Sequence, residues 1–172
     1  LCWPQSEKIW SRKLLPEVRK DVARIANTIV DFEPVVMLCD PQQIESARPL
    51  LDKRVTIVGM KVDDLWARDT LPVFVEKNNS SLTGVVFNFN GWGNKQIHEN
   101  DALVAENVAQ KFGLEHLSAK IIAEGGSLES DGKGTLLVTE SSLVNTNRNH
   151  QSKKEIEAEL KRVLGVRKVI WF

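Results

Sequence analysis

Leu65-Trp66-Ala67-Arg68-Asp69-Thr70-Leu71-Pro72 is the stretch around which the chain is organised. It follows an apolar run, Val55-Thr56-Ile57-Val58-Gly59-Met60, and precedes another, Pro72-Val73-Phe74-Val75. Both runs read as strands, so the stretch is a strand-end loop, where functional side chains concentrate on a rigid scaffold. Pro72 biases Leu71 towards an extended conformation. A carboxylate next to a tryptophan suits a planar cation: Asp69 accepts paired N–H bonds from a guanidinium, and the indole face of Trp66 attracts the charge. The plainer reading is that Asp69 pairs with a nearby arginine or caps a turn.

Outward from this stretch, strands alternate with helices. Pro34 to Cys39 reads as a buried strand, preceded by a helix from about Pro16 to Asp31 with Val18, Val22, Ile25 and Ile29 on one face. Asp40-Pro41 reads as a helix cap with proline at the first helical position, opening a helix to about Leu51. After the central stretch, Pro72–Glu76 and Leu82–Asn88 are predicted strands joined by the polar loop Lys77–Ser81. A helix over about Asp101–Phe112 follows, lined by Leu103, Val104, Val108 and the Lys111 stem and stopped by Gly113. Ala119–Ala123 reads as a short strand ending at Glu124-Gly125-Gly126-Ser127. Asp131-Gly132 marks a hairpin turn between strands at Ser127–Glu129 and Thr135–Thr139. A capping box, Ser152-Lys153-Lys154-Glu155, opens a last helix with Ile156, Leu160, Val163 and Leu164 on its apolar face and Gly165 at its end. Lys168–Phe172 is a final strand. This alternation predicts an α/β architecture in a single domain over residues 1–172.

Composition narrows the function. The 172 residues are 42% hydrophobic and 27% charged, ordinary globular values. Basic and acidic residues balance at 23 each, which argues against nucleic acid as a partner. No apolar run approaches a membrane span. Two cysteines without a visible leader point to a reducing, cytoplasmic setting, although the chain opens with Leu1 and a preceding leader stays open. Cys39 ends an apolar strand and reads as a small core residue. Gly91-Trp92-Gly93-Asn94-Lys95 lacks the spacing of a phosphate-binding loop. His98, His116 and His150 form no metal-ligand pattern, and no serine sits in a nucleophile elbow, so no metal or cofactor is expected.

What remains is a set of three strand-end loops carrying Trp66 and Asp69, Asn90 and Trp92, and Glu124. Such loops can converge at one end of a sheet-based fold. Two carboxylates in one pocket repel and raise one pKa, and a bound cation between them relieves this. The adjacent Gly125 and Gly126 would let a ligand approach the backbone. Read plainly, the Glu124 segment is a glycine-rich turn with a solvated glutamate.

Trp66-Ala67-Arg68-Asp69-Thr70-Leu71-Pro72, Phe89-Asn90-Gly91-Trp92-Gly93, Glu124-Gly125-Gly126-Ser127 and Asn145-Thr146-Asn147-Arg148-Asn149 together resemble, in order, the agmatine deiminase and bacterial peptidylarginine deiminase family. Trp3-Pro4 and Lys168–Trp171 also look like it. The resemblance runs over nearly the whole chain. It implies a five-bladed α/β propeller built from ββαβ units, of which this chain would hold two to three blades. It implies hydrolysis of a guanidinium to a ureido group with release of ammonia, through a cysteine nucleophile, a proton-transferring histidine and two binding carboxylates. Carried over by motif, Asp69 and Glu124 are the acidic site residues, Trp66 forms part of the wall, and Arg68 is a structural ion-pair partner. Two positions depart from the pattern: Leu71 stands where the family often has glycine, and His150 where proline is common.

The family's cysteine and histidine would follow Phe172, so the chain looks like an N-terminal half holding part of the active site. The expected substrate is a small guanidino compound, agmatine ahead of arginine residues. The expected partner is the C-terminal half of the same enzyme, or further copies of the chain. A non-catalytic binder of cationic guanidino or amine ligands is the alternative, and a bare structural fragment a third reading. Three outcomes are expected: Asp69 and Glu124 in one cleft, exposed apolar surface near Trp171 and Phe172, and no turnover by residues 1–172 alone.

Overall fold

The computed structural model describes residues 1–76 and 81–172. The predicted hairpin loop at Lys77–Ser81 therefore lies, up to residue 80, outside the described residues. Its contacts divide the chain into two compact units: residues 1–67 with 99–104, and residues 68–98 with 105–172.

The first unit is built on two parallel strands, β1 (Val36–Cys39) and β2 (Thr56–Gly59), with Val36 opposite Thr56 and Cys39 opposite Gly59. Cys2 bridges Leu38 in parallel. A long helix, Glu7–Ile29, covers this layer and is interrupted at Ser11 (φ 59°, ψ 153°). Its buried stripe is Leu15, Val22, Ala23 and Ala26, packing with Trp3, Met37 and Val55. The stripe is turned towards the two alanines, so the predicted core residue Ile25 falls outside it and is exposed. Asp40 does cap the next segment: its Oδ1 accepts from Gln42 N at 2.8 Å, with Pro41 at the first position. The single helix expected to reach Leu51 is instead three short turns, Pro41–Gln43, Ile44–Ala47 and Arg48–Leu50. Pro49 has no N–H to continue the ladder. The Arg48 guanidinium takes over, donating to the carbonyls of Val55 and Leu51 at 3.0 Å each.

The second unit holds two ββαβ repeats. In the first, β3 (Val73–Glu76) pairs antiparallel with β4 (Leu82–Val86), and β4 pairs parallel with β5 (His116–Ser118). The crossover contains the helix Asp101–Lys111, which begins in the first unit and ends at Gly113 (φ +61°). Val104, Ala105, Val108 and Ala109 are buried along it, whereas the predicted lining residue Leu103 is 53% exposed. In the second repeat, β6 (Glu129–Ser130) pairs antiparallel with β7 (Thr135–Val138), and β7 parallel with β8 (Lys168–Trp171). The helix Lys153–Leu164 crosses between them, with the Ser152–Glu155 capping box formed and Gly165 left-handed at its end. Val85, Phe87, Ile121, Leu136, Ile156 and Leu160 belong to one core shared by both sheets.

Ala119–Ala123 is not a strand: β5 ends at Ser118. Its alternation is nonetheless real, since Ala119, Ile121 and Ala123 are buried. Its backbone keeps one bond to β4, Ala119 N to Val86 O at 2.9 Å, and beyond that relies largely on side chains. Asn88 Nδ2 donates to the carbonyls of Ala119 (2.9 Å) and Ile121 (3.1 Å). Asn149 Oδ1 accepts from Ile122 N (2.8 Å), and its Nδ2 donates to Ile122 O (2.9 Å) and Leu143 O (2.9 Å). Glu159 Oε1 accepts from Lys120 N (2.7 Å). Buried backbone polar groups need partners of some kind, and these asparagines supply them where the ladder stops.

Candidate active site

The central stretch forms one helical turn, Ala67–Thr70, rather than an open loop. The turn fixes Asp69, whose Oδ1 accepts from Gly126 N at 2.9 Å. Among the described residues, nothing bonds its second oxygen. Gly125 and Gly126 serve this approach. A Cβ on Gly125 would stand 2.3 Å from Arg68 O, and one on Gly126 would stand 2.4 Å from Asp69 Oδ1. The glycines thus admit the Arg68–Asp69 backbone and carboxylate, a different task from the ligand approach read from the sequence. Arg68 is exposed and makes no ion pair among the described residues.

Glu124 is not a solvated turn residue. It is 3% exposed and its Oε1 meets Arg148 Nε at 2.9 Å. Burial raises its pKa, against the lowering effect of the Arg148 hydrogen bond and charge; Asp69 nearby adds to the rise. The turn after Glu124 is closed by Ser127, whose N–H and hydroxyl both donate to Glu124 O, at 2.9 and 2.7 Å. Arg148 reaches Glu124 because the Asn145–Asn149 turn is tight: the N–H groups of Arg148 and Asn149 both donate to Asn145 O.

Asp69 and Glu124 line one open cleft of about 570 Å³ in the second unit, together with Trp92, Gly126, Glu129 and Arg148. Three carboxylates there face one guanidinium, which Glu124 already engages. The remaining charge is negative and favours a cation. Trp92 lies in one of the three loops expected to converge, whereas Arg148 stands in a family motif that assigns it no role. An arginine 24 residues from a glutamate carries no local spacing signal. Trp92 carried one, flanking glycines, whose meaning depends on a backbone conformation that spacing does not reveal.

Trp66 belongs to the first unit. Its Nε1 donates to Asp64 Oδ2 at 2.8 Å, as Trp10 Nε1 does to Asp64 Oδ1 at 2.5 Å, and the residue is 40% exposed. Beside it, Asp63 and Asp101 exchange bonds: Asp101 Oδ1 accepts from Asp63 N (2.7 Å), and Asp63 Oδ2 from Asp101 N (3.0 Å) and Asn100 N (2.7 Å). Asp101 is buried and its Oδ2 has no partner; burial pushes its pKa up to about 6, against the lowering effect of the Asp63 and Asp64 backbone N–H groups, with the charges of both aspartates adding to the rise.

No cysteine or histidine lines the cleft. Cys2 and Cys39 are both buried in the first unit. Burial, then Asp40, raises the Cys39 thiol to about 11, so it is not a thiolate at neutral pH. His98 Nδ1 lies 2.9 Å from Gln96 O, and His116 and His150 are exposed.

Over the residues it spans, the α/β fold matches that of agmatine deiminases. The agmatine deiminase of Enterococcus faecalis superposes with a TM-score of 0.93 at 31% identity, covering 99% of this chain and 48% of that one. A C. jejuni agmatine deiminase with substrate bound, a cysteine-to-serine variant, gives 0.87 at 30% identity, covering 99% and 51%. Among curated relatives, the agmatine deiminase of Stutzerimonas stutzeri is 37% identical over 99% of this chain and 48% of its own length. The Porphyromonas-type peptidyl-arginine deiminase family matches residues 1–172, and the chain belongs to it. It spans about half the length of the curated relatives it matches.

Proposed function

We propose that this chain supplies the guanidinium-binding half of a deiminase that hydrolyses agmatine to N-carbamoylputrescine and ammonia. One observation carries the reading: Asp69 and Glu124, predicted from separate motifs, line the same cleft. Family membership and the agmatine deiminases among its relatives support it. The two ββαβ repeats are read as blades of a five-bladed propeller, and the rest of the propeller, in cis or as a docking half, is the proposed partner. A homo-oligomer is the other assembly. The setting is proposed to be cytoplasmic; no described helix is long and apolar enough to cross a membrane.

In this mechanism Asp69 accepts guanidinium N–H groups with the oxygen that Gly126 leaves open. Glu124, held by Arg148, supplies the second carboxylate. Trp66 is assigned to the site by its motif position alone. Binding orients the cation but supplies no attacking atom, because a guanidinium is resonance-stabilised and a poor electrophile. A thiolate must attack its carbon and a histidine must protonate the departing ammonia. Both are expected outside these residues, since the cysteines here are buried and no histidine reaches the cleft.

The test is release of ammonia and ureido product. The complete enzyme should turn over agmatine, and residues 1–172 alone should not. In the complete enzyme, Asp69→Asn should lower kcat/KM by about 10- to 100-fold, the loss of a charge-assisted bond of roughly 1.5–3 kcal/mol, with the melting temperature little changed. Preferential conversion of arginine residues to citrulline would move the substrate from agmatine to peptides. Turnover by the chain alone, abolished by Cys2→Ser or Cys39→Ser, would place the nucleophile here and end the half-site reading. Tight agmatine binding by a complete protein that never turns it over would support the non-catalytic binder instead.

A further inference from the structure

Phe89-Asn90-Gly91-Trp92-Gly93-Asn94 leaves β4 and turns the wrong way for L-amino acids. Residues 91 to 94 all have positive φ, at 63°, 57°, 82° and 61°. They form one turn of left-handed helix, closed by Asn94 N to Asn90 O (2.8 Å) and Lys95 N to Gly91 O (2.9 Å). Glycine accepts this conformation and asparagine tolerates it, but for a residue as bulky as tryptophan it is an outlier. Such an outlier persists only where the surroundings over-determine it.

The surroundings here can be named. Asn90 Oδ1 accepts from Gly93 N at 2.9 Å, and Asn90 Nδ2 donates to the backbone carbonyl of Asn147 at 2.8 Å. One amide therefore closes the turn and ties it to the segment that carries Arg148. Gly91 and Gly93 have no room for a side chain: a Cβ would stand 2.5 Å from Gln96 O in one case and 2.3 Å from the Asn147 amide in the other. Phe89 meets the Trp92 ring edge to face, with centroids 5.0 Å apart. The product of this arrangement is that Trp92 lines the cleft with Asp69 and Glu124.

We propose that Asn90 is a positioning residue: its amide clamps the left-handed turn so that the Trp92 indole forms a wall of the cleft and selects a flat cation. The proposal rests on the deiminase reading for the identity of that cation. It differs sharply from ordinary helix capping. As a cap, aspartate serves as well as asparagine. As a clamp it fails, because a carboxylate still accepts from Gly93 N but has no donor for Asn147 O and repels it.

The test uses the complete enzyme containing this chain, labelled with fluorotryptophan and read by ¹⁹F NMR, with the Trp92 signal assigned by Trp92→Phe. Asn90→Asp and Asn90→Ala should both displace the Trp92 signal and leave the other tryptophan signals in place. Both should raise KM for agmatine by about tenfold, the scale of a partly desolvated cation–π contact, with kcat little changed, since a wall binds ground and transition states alike. In the unaltered enzyme, added agmatine should shift the Trp92 signal, a readout independent of whether any variant folds. An Asn90→Asp enzyme with the original Trp92 signal and KM would reduce Asn90 to a cap and overturn the proposal. An unmoved Trp92 signal at saturating agmatine would overturn the wall. An unaltered enzyme that neither binds nor converts agmatine would instead overturn the deiminase reading, while the Trp92 signal in Asn90→Asp still decides the clamp.

Discussion

Glu124 and Asp101 are both buried carboxylates, and they differ in what answers their charge. Glu124 has Arg148 at 2.9 Å; Asp101 has an oxygen with no partner and two further aspartates nearby. Removing the answering cation with Arg148→Ala should destabilise the fold by roughly 3–5 kcal/mol at neutral pH, the usual effect of stranding a buried charge. The loss should shrink as the pH is lowered and Glu124 takes up a proton; denaturant melts at several pH values measure both. For Asp101 the sign runs the other way from a salt-bridged acid. Its folded pKa, about 6, lies above the ordinary value of 3.8, so the folded state binds the proton more tightly. Its contribution is favourable at low pH and is lost as the pH rises through that window, by on the order of 3 kcal/mol. Asp101→Asn should therefore flatten stability between pH 4 and 6 and raise the melting temperature at pH 8. Neither environment is visible in sequence. Burial and the identity of the facing group are tertiary facts, and a glutamate before two glycines reads equally well as a solvated turn.

Among the elements, those with end signals were read well and those without were not. The helix Lys153–Leu164 begins and ends where its capping box and Gly165 place it, because both devices satisfy orphan backbone groups locally. The segment Pro41–Leu50 and the strand at Ala119–Ala123 differ from their readings for opposite reasons. At 41–50 the Asp40 cap and Pro41 are right, but Pro49 breaks the helix that they open. At 119–123 the periodicity was right, but after the Ala119 N–H bonds to Val86 the partners are the side chains of Asn88, Asn149 and Glu159, distant in sequence. Asn149 thus acts as a piece of missing strand. Asn149→Ala would leave the backbone of Ile122 and the carbonyl of Leu143 unpaired, and should cost roughly 2–4 kcal/mol at about 1 kcal/mol or more per stranded group. Urea denaturation measures it. Faster amide exchange at Ile122 than in β7 is the local signature.

At the scale of the whole chain, repetition was legible and division was not. Two ββαβ orders follow from alternating strands and helices, whereas the boundary between the units cuts through the helix Asp101–Lys111, where no composition change marks it. The even balance of charge, with an isoelectric point near 7.0, predicts lowest solubility close to neutral pH; turbidity of the purified chain should peak there and clear a unit or two to either side. The pairing pattern has one more consequence, in time rather than space. Every strand of a ββαβ repeat pairs within its own repeat: β4 with β3 and β5, β7 with β6 and β8. Among the described residues, no strand of these two sheets takes its partner from the other repeat. The parallel pairs β4–β5 and β7–β8 each still close across a helical crossover, a non-local step that slows folding, yet on the ribosome the first repeat can close its sheet while the second is still being synthesised.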